Sequence, residues 1–501
     1  MRRWILGLAM LLCLALAASA CSGSDTPGPK PAPKPSKAKV AVLTYGVFGS
    51  PEEIASYQGV VDAYNAQAST VRVELESWPT SAAMMADIVP PVPEVSPTDG
   101  TGDGSTPSAS ETPTEAPVGK VPVPDIYMVA RPDLSTVVDA DLNVPLFGLL
   151  EARNVNYGDG YSRDALEAFS ADADLQCMPY SISPMVVYIN TDLVDFPEMR
   201  LRGLAAPSTE LKSWNIEEFR AAGAFATRKK LRTRGLSISP TLSSLAPFLY
   251  SGGGQLFDND SDPKSLDLNS DDNQSTLATG LEVARNPRIT LSDAQLAKAT
   301  PTQWFERGRL GMVEGFRSLT PELRDVPGLH FDVMPMPRVN DDATVGDITG
   351  LCIAPGRDVQ RAADFLVHVI SDDGFAPVAE AGYVVPANLA VARSDTFLQP
   401  DRQPANAAIF NAGVDHMVLQ PLLDDYDELE AAVDPLIEEL FTMPVIGDIG
   451  ELTAAIDEAS RPVLDPDYVP PTETPTDGAT SDSPTEGGDQ SSEEPSSSAT
   501  P

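Results

Sequence analysis

"KVAVLTYGVFGSPEEIASYQGVVDAYNAQASTVRVELE" (Lys39–Glu76) decides the fold. It opens on "KVAVLTY" (Lys39–Tyr45), an apolar, β-branched run of the kind that fills a buried strand. Ser50, Pro51 and Glu53 then spell a capping box with proline at the first helical position. Ile54, Tyr57, Val61 and Tyr64 recur at helical spacing, so the helix lays one apolar face on the sheet. "VRVELE" (Val71–Glu76) reads as the next strand and "DIYMVA" (Asp125–Ala130) as another. Strands that alternate with helices in this way give crossover units and a parallel sheet, so the fold class is α/β.

Between the second and third strands lies "VPPVPEVSPTDGTGDGSTPSASETPTEAPVGKVPVP" (Val89–Pro124), which has no aromatic residue and is full of turn formers. It reads as a disordered, looped-out insertion, tolerated because closing a loop costs only about 0.6 kcal/mol per doubling of its length. After Arg461 the chain carries no Lys or Arg, and residues 469–501 read as a disordered acidic tail.

The start of the chain predicts where the protein works. Arg2 and Arg3 precede an apolar run, Trp4–Ala18, followed by Ser19, Ala20 and Cys21. This is a tripartite export signal, too short for the roughly 20 residues a membrane-spanning helix needs. Small residues before a cysteine resemble the bacterial lipobox, with Ala18 standing where that pattern more often has Leu. That resemblance implies a signal peptide over residues 1–20 and lipidation (palmitate included) of Cys21, hence an anchor on the extracellular face of the cell membrane. The alternative is an ordinary signal cleaved after Ala20, with Cys21 left free. Residues 21–38 alternate Pro and Lys and form a spacer that at about 3.1 Å per residue reaches some 50 Å. The remaining body, about 430 residues, suits two lobes better than one core.

A formal net charge of −39 argues against nucleic acid, which is met with a basic face, and against anionic lipid. The acidity reads as solubility in an extracellular setting. No G-x-S-x-G elbow and no H-E-x-x-H helix occurs. The three histidines, His330, His368 and His416, are far apart, and His368 sits in the apolar helix "AADFLVHVIS" as a structural residue. "SKAK" (Ser36–Lys39) matches S-x-x-K only inside the spacer. Carboxylates are plentiful, but no pair is singled out as a glycosidase acid and base. No catalytic residue, metal or cofactor is therefore expected.

Motifs in series carry a further reading: "VVDAYNAQASTVRVELE", "PDIYMVARPDL", "CMPYSISPMVVYINTDL", "SWNIEEFRAAG", "YSGGGQLF", "WFERGRLGMVEGF", "FDVMPMP", "TGLCIAP" with "AADFLVHVIS", and "AGYVVPAN". In this order they resemble the family 1 extracellular solute-binding proteins, the sugar-binding components of ABC importers related to maltose-binding protein. The resemblance covers nearly the whole body, the insertion excepted. It implies a two-lobed periplasmic-binding-protein fold with a cleft between lobes joined by hinge crossings. Lobe 1 would span 39–183, lobe 2 184–348, a return to lobe 1 349–394, and lobe 2 with C-terminal helices 395–468. The crossings would be "PYSISPMVVYIN" (Pro179–Asn190), "TGLCIAP" (Thr349–Pro355) and a third after "VPANLAVARS". It also implies a monomer that captures a sugar or oligosaccharide by hinge closure and presents it to ABC permease subunits. A cell-surface carbohydrate-active hydrolase and a binding protein for a non-sugar solute are the alternatives.

Position within that topology nominates the ligand-binding residues. Thr44, Tyr45 and Gly46 end the first strand, Trp78 ends the second, and Arg131 and Asp133 follow the third, where the family often places polar sugar contacts. Tyr180, Ser181 and Ser183 lie on the first crossing. Ser251, Gly252 and Gly253 open "SGGGQLF", Phe316 and Arg317 follow "GMVEG" where relatives carry a stacking aromatic, and Tyr383 precedes "VVPAN". Tyr45, Trp78 and Phe316 each have a competing reading as core residues, and "SGGG" as a helix C-cap. Arg131 and Arg317 would also suit a carboxylate or phosphate on an acidic ligand. Cys177 and Cys352 are the thiols left in the body, and the same topology sets their crossings side by side, where they form either a disulfide or two buried thiols.

Overall fold

The computed structural model describes residues 40–91, 119–171, 173–423, 426–443 and 449–470. The signal, Cys21, the spacer, residues 92–118 of the insertion and all but the start of the tail lie outside the described residues. Strands run in chain order as β1 (Ala41–Phe48), β2 (Val71–Trp78), β3 (Ile126–Ala130), β4 (Met178–Pro184), β5 (Val186–Asn190), β6 (Arg234–Ser237), β7 (Leu310–Gly315), β8 (Phe331–Pro335) and β9 (Gly346–Ile353). The helices that matter below are α1 (Pro51–Gln67), α2 (Leu242–Gly252), α3 (Leu319–Arg324), α4 (Val359–Ile370), α5 (Asp372–Ala381), α6 (Ala408–Val414), α7 (Tyr426–Thr442) and α8 (Gly450–Leu464).

Two sheets hold the two lobes. The first has the order β2-β1-β3-β9-β4 and the second β8-β5-β7-β6. β1 pairs in parallel with both β2 and β3, as the crossover pattern of the opening stretch requires. β9 is antiparallel to β3 and to β4 because it returns from the second lobe and enters the first sheet from the opposite end. Only Met185 separates β4 from β5, so the chain changes sheets within a single residue.

Side-chain alternation builds the cores. On β5, Val186 and Tyr188 belong to one buried cluster while Val187 and Ile189, with Met185 just before the strand, join the other; on β8, Phe331 and Val333 part from Met334 in the same way. The first cluster therefore fills lobe 1 and reaches across the seam, and the second fills lobe 2 together with α7 and α8. The third passage lies later than the point after Ser394. Phe397, Ile409, Phe410 and Val414 are still buried in the first cluster, and Leu423 and Leu429 are in the second.

The helix α1 starts as its sequence dictates, with the Ser50 hydroxyl accepting from Glu53 N at 3.2 Å. The expected reciprocal half of the box is not made. The Glu53 carboxyl, folded back beside Gly49 and Ser50, accepts instead from the Tyr57 hydroxyl at 2.8 Å and lines the cavity at the seam between the lobes. The flanks of the insertion are packed rather than loose: Val121 N donates to Asp87 O at 3.2 Å, and Val121 and Val123 lie against the first core.

Cys177 and Cys352 form a disulfide, with Cα atoms 4.3 Å apart. Cys177 immediately precedes β4 and Cys352 lies near the end of β9, so the bridge sits at the end of this strand pair remote from the seam.

Candidate functional site

β1, β2 and β3 all end at one edge, at Phe48, Trp78 and Ala130. The last residues of β4 and the first of β9 come to that same edge, with Ser183 opposite Asp347 and Ser181 opposite Thr349. Alternation along β9 then splits the edge into two sides: Asp347 and Thr349 face one, Gly346 and Ile348 the other. A cavity lies on each side.

The larger, of about 180 Å³, is lined by Phe48, Glu53, Tyr57, Met128, Ser181, Ser183, Asp347, Thr349, Tyr383 and Val384 from the first lobe, with Ser318 from the turn after β7 of the second. Its hydroxyls are partly engaged. Ser181 Oγ and Thr349 Oγ1 share a hydrogen bond of 2.8 Å, and Ser183 Oγ accepts from Arg317 N at 3.0 Å while keeping its own proton to donate. Asp347 presents a solvent-exposed side chain to the cavity, and partial desolvation by the surrounding protein holds its carboxyl above the ordinary carboxylate range. Glu53 is raised for the same reason, with Asp347 adding to the shift and the Tyr57 hydroxyl opposing it. Two phenols close to Tyr57, those of Tyr45 and Tyr180, are fully buried with no partner.

The smaller cavity, about 60 Å³, lies between Arg131 at the end of β3 and Tyr426 at the start of α7. Arg131 Nε has no partner, and burial pushes the guanidinium down to about 10. Gln420 and Tyr426 form the opposite wall, with Tyr250 beside them.

Of the residues nominated from sequence, the structure brings Ser181, Ser183 and Tyr383 together in the larger cavity and puts Arg131 in the smaller. Trp78 and Asp133 stand at the same edge in contacts of their own: Trp78 Nε1 donates to Asp87 at 3.1 Å, and Asp133 accepts from the Ser81 hydroxyl. The others are placed differently. Tyr45 is in the core, edge-on to Phe365 at 5.4 Å, and Tyr180 packs on Phe375 at 4.5 Å. Thr44 is tied to the Asp125 carboxylate through both its amide and its hydroxyl. Gly46 is hemmed in: a Cβ there would come within 2.7 Å of Met84 and 2.8 Å of Pro124.

Ser251 is wholly buried and holds the loop that leads to β9, its hydroxyl donating to Asp341 O and accepting from Val339 N. Gly252 O accepts from Asn340, and Gly253, at φ +92°, is the left-handed C-cap of α2. Phe316 is half-buried against the second core and lines neither cavity. Arg317 is a fully buried clamp between lobes, not a cleft group. Its guanidinium lies 4.7 Å from the Phe397 ring and 5.0 Å from that of Phe410, and it donates to the carbonyls of Gly382 and Phe397. A planar cation fits between two rings and two carbonyls without a carboxylate, which explains its burial.

Phe48, Glu53, Thr349 and Asp347 escaped the sequence reading. Asp347 left a signal: in "GDITGLCIAP" it is a lone acid at the head of an apolar crossing strand.

A family model for bacterial extracellular solute-binding proteins matches residues 101–407. The chain belongs to that family. Among solved structures, this solute-binding protein is similar to an ABC substrate-binding protein of Listeria monocytogenes in complex with cycloalternan, at 16% identity and a TM-score of 0.66, over 85% of this chain and 99% of that one. It is similar as well to the GacH receptor of Streptomyces glaucescens, solved unliganded and with acarbose, at 15% identity and a TM-score of 0.63, over 86% of this chain and 100% of that one. A cyclic α-maltosyl-1,6-maltose binding protein of Arthrobacter globiformis gives 15% identity and a TM-score of 0.61, over 84% and 99%. No curated protein sequence matches the chain. At these identities the structural likeness establishes the two-lobed fold alone.

Proposed function

We propose that this solute-binding protein captures a sugar or oligosaccharide between its lobes and hands it, by hinge closure, to the permease of an ABC importer. One observation carries the reading. The cavity where the strand ends of the first lobe meet Ser318 of the second is walled by hydroxyls, two carboxyls and three aromatic rings, Phe48, Tyr57 and Tyr383. Sugars offer hydroxyls to polar partners and C–H faces to rings, so this mixture of groups suits them. Its volume suits one ring, with the Arg131–Tyr426 cavity across β9 available to a second. The similar structures solved with cycloalternan and acarbose, and the one named as a cyclic α-maltosyl-1,6-maltose binding protein, support the same class.

The sequence adds where this happens. Cys21, lipidated after removal of residues 1–20, holds the protein at the extracellular face of the membrane, with residues 21–38 as tether and the protein acting as a monomer. Binding is the output and the ligand leaves unchanged. Thermal-shift screening of the purified protein against mono- and oligosaccharides tests this: a saccharide that raises the melting temperature and is recovered intact supports it. Release of a shortened sugar would move the protein to the hydrolases.

A further inference from the structure

We propose that the seam between the lobes holds a small inorganic anion of the size of chloride, received by the guanidiniums of Arg317 and Arg324 beside Gly382.

Both guanidiniums keep donors in reserve. Arg317 donates from Nε to Gly382 O and from Nη2 to Phe397 O, while its buried Nη1 meets no acceptor among the described residues. Arg324 donates from Nε to Gln403 O and from Nη1 to Gln399 Oε1 at 2.8 Å, and its buried Nη2 likewise meets none. A guanidinium carries five N–H bonds, so each side chain has more donors than the protein has acceptors for it. The two face one spot. A Cβ on Gly382 would stand 3.1 Å from Arg324 Nη1 and 3.6 Å from Arg317 Nη2, and Gly382, at φ +83°, keeps that spot clear of a side chain. Arg317 and Arg324 arrive from the segment after β7 of the second lobe, whereas Gly382 directly follows α5, whose Phe375 and Val378 lie in the first core. An anion here ties those two segments together.

The surroundings are positive without relief. Arg402 donates to the same Gln399 Oε1 as Arg324 and acts as a like charge on both Arg317 and Arg324. Among the described residues no carboxylate offsets either guanidinium, and the one group acting in the opposite sense is the Tyr188 phenol. Acids outnumber bases by 73 to 34 in the chain, so carboxylate partners were not scarce. Burying like charges without a counter-charge is unfavourable, and an anion removes that cost while accepting the spare N–H bonds as charge-assisted hydrogen bonds. Its size follows from the packing: Arg317 is wholly buried against the rings of Phe397 and Phe410, which suits a monatomic ion better than an organic acid.

The test compares the melting temperature of the purified protein at pH 7 in sodium chloride, sodium bromide and sodium gluconate, each at about 0.15 M so that screening is equal, and locates bromide in soaked crystals by anomalous scattering. The inference expects chloride and bromide to raise the melting temperature by about 2 °C over gluconate, the linkage for an ion present at about ten times its dissociation constant. It expects that difference to vanish in Arg324→Gln, and bromide density beside Gly382 between Arg317 and Arg324. Arg402→Gln, at an exposed position, is a second variant should the first fold poorly, and it should shrink the difference. Equal melting in the three salts would overturn the inference even if bromide were seen, since density alone would mark an adventitious ion only. A chloride effect intact in both variants would overturn it as a general salt effect, and so would bromide confined to other places.

Discussion

Replacing Cys177 and Cys352 together by Ala removes the bridge between β4 and β9. The two residues are 175 positions apart, and cross-linking a loop of that length withdraws entropy from the unfolded chain worth on the order of 5 kcal/mol. Measured effects fall short of the chain-entropy figure, so we expect a loss of about 2–5 kcal/mol in urea unfolding followed by tryptophan fluorescence. Both cysteines are fully buried, and Ala rather than Ser avoids leaving new hydroxyls without partners. The bridge lies at the far end of the strand pair from the seam, so ligand affinity in the double variant should stay within two-fold or so of the wild type. A midpoint unchanged by the substitution would refute the stabilising role. A large loss of affinity with stability retained would refute its separation from the cleft.

Arg317→Leu should cost about 3 kcal/mol, because the Gly382 and Phe397 carbonyls lose their donor and the Phe397 and Phe410 rings lose the cation between them; undiminished stability would count against the clamp. Asp457, whose carboxyl accepts from Leu268 N and Asn269 N, is raised by burial to about 6. A raised carboxyl stabilises the fold below its unfolded-state value and loses that contribution as pH climbs through about 6, so Asp457→Asn should flatten the stability profile between about pH 4 and 6, and an unaltered profile would refute this. Replacing residues 92–118 by a short Gly linker should leave the melting temperature within a few degrees, since Asp87 and Val121 already join the ends; failure to fold would refute it.

The alternation of strand and helix over Lys39–Glu76 was enough to read the first lobe, because apolar periodicity and the Ser50–Pro51 start are local signals. The crossings were legible only through the order of motifs. The site was legible in part. Ser181, Ser183 and Tyr383 line the larger cavity, but Tyr45 and Tyr180 at strand positions turn inward, since one residue of register decides which side a side chain takes. Arg317 misled because a guanidinium beside a strand end looks like a ligand contact until the rings of Phe397 and Phe410, 80 or more residues away along the chain, are seen to enclose it. Asp347 and Glu53 could not be paired from sequence because nearly 300 residues separate them and only the return of β9 brings them into one space.

The claim that the two lobes close on a saccharide is tested most directly by a crystal structure of the protein with the saccharide that stabilises it most. The account predicts density for a sugar ring between Ser183, Asp347 and Tyr383, with Ser318 of the second lobe within contact. A sugar bound outside this seam, with the cavity of Asp347 unchanged, would contradict it.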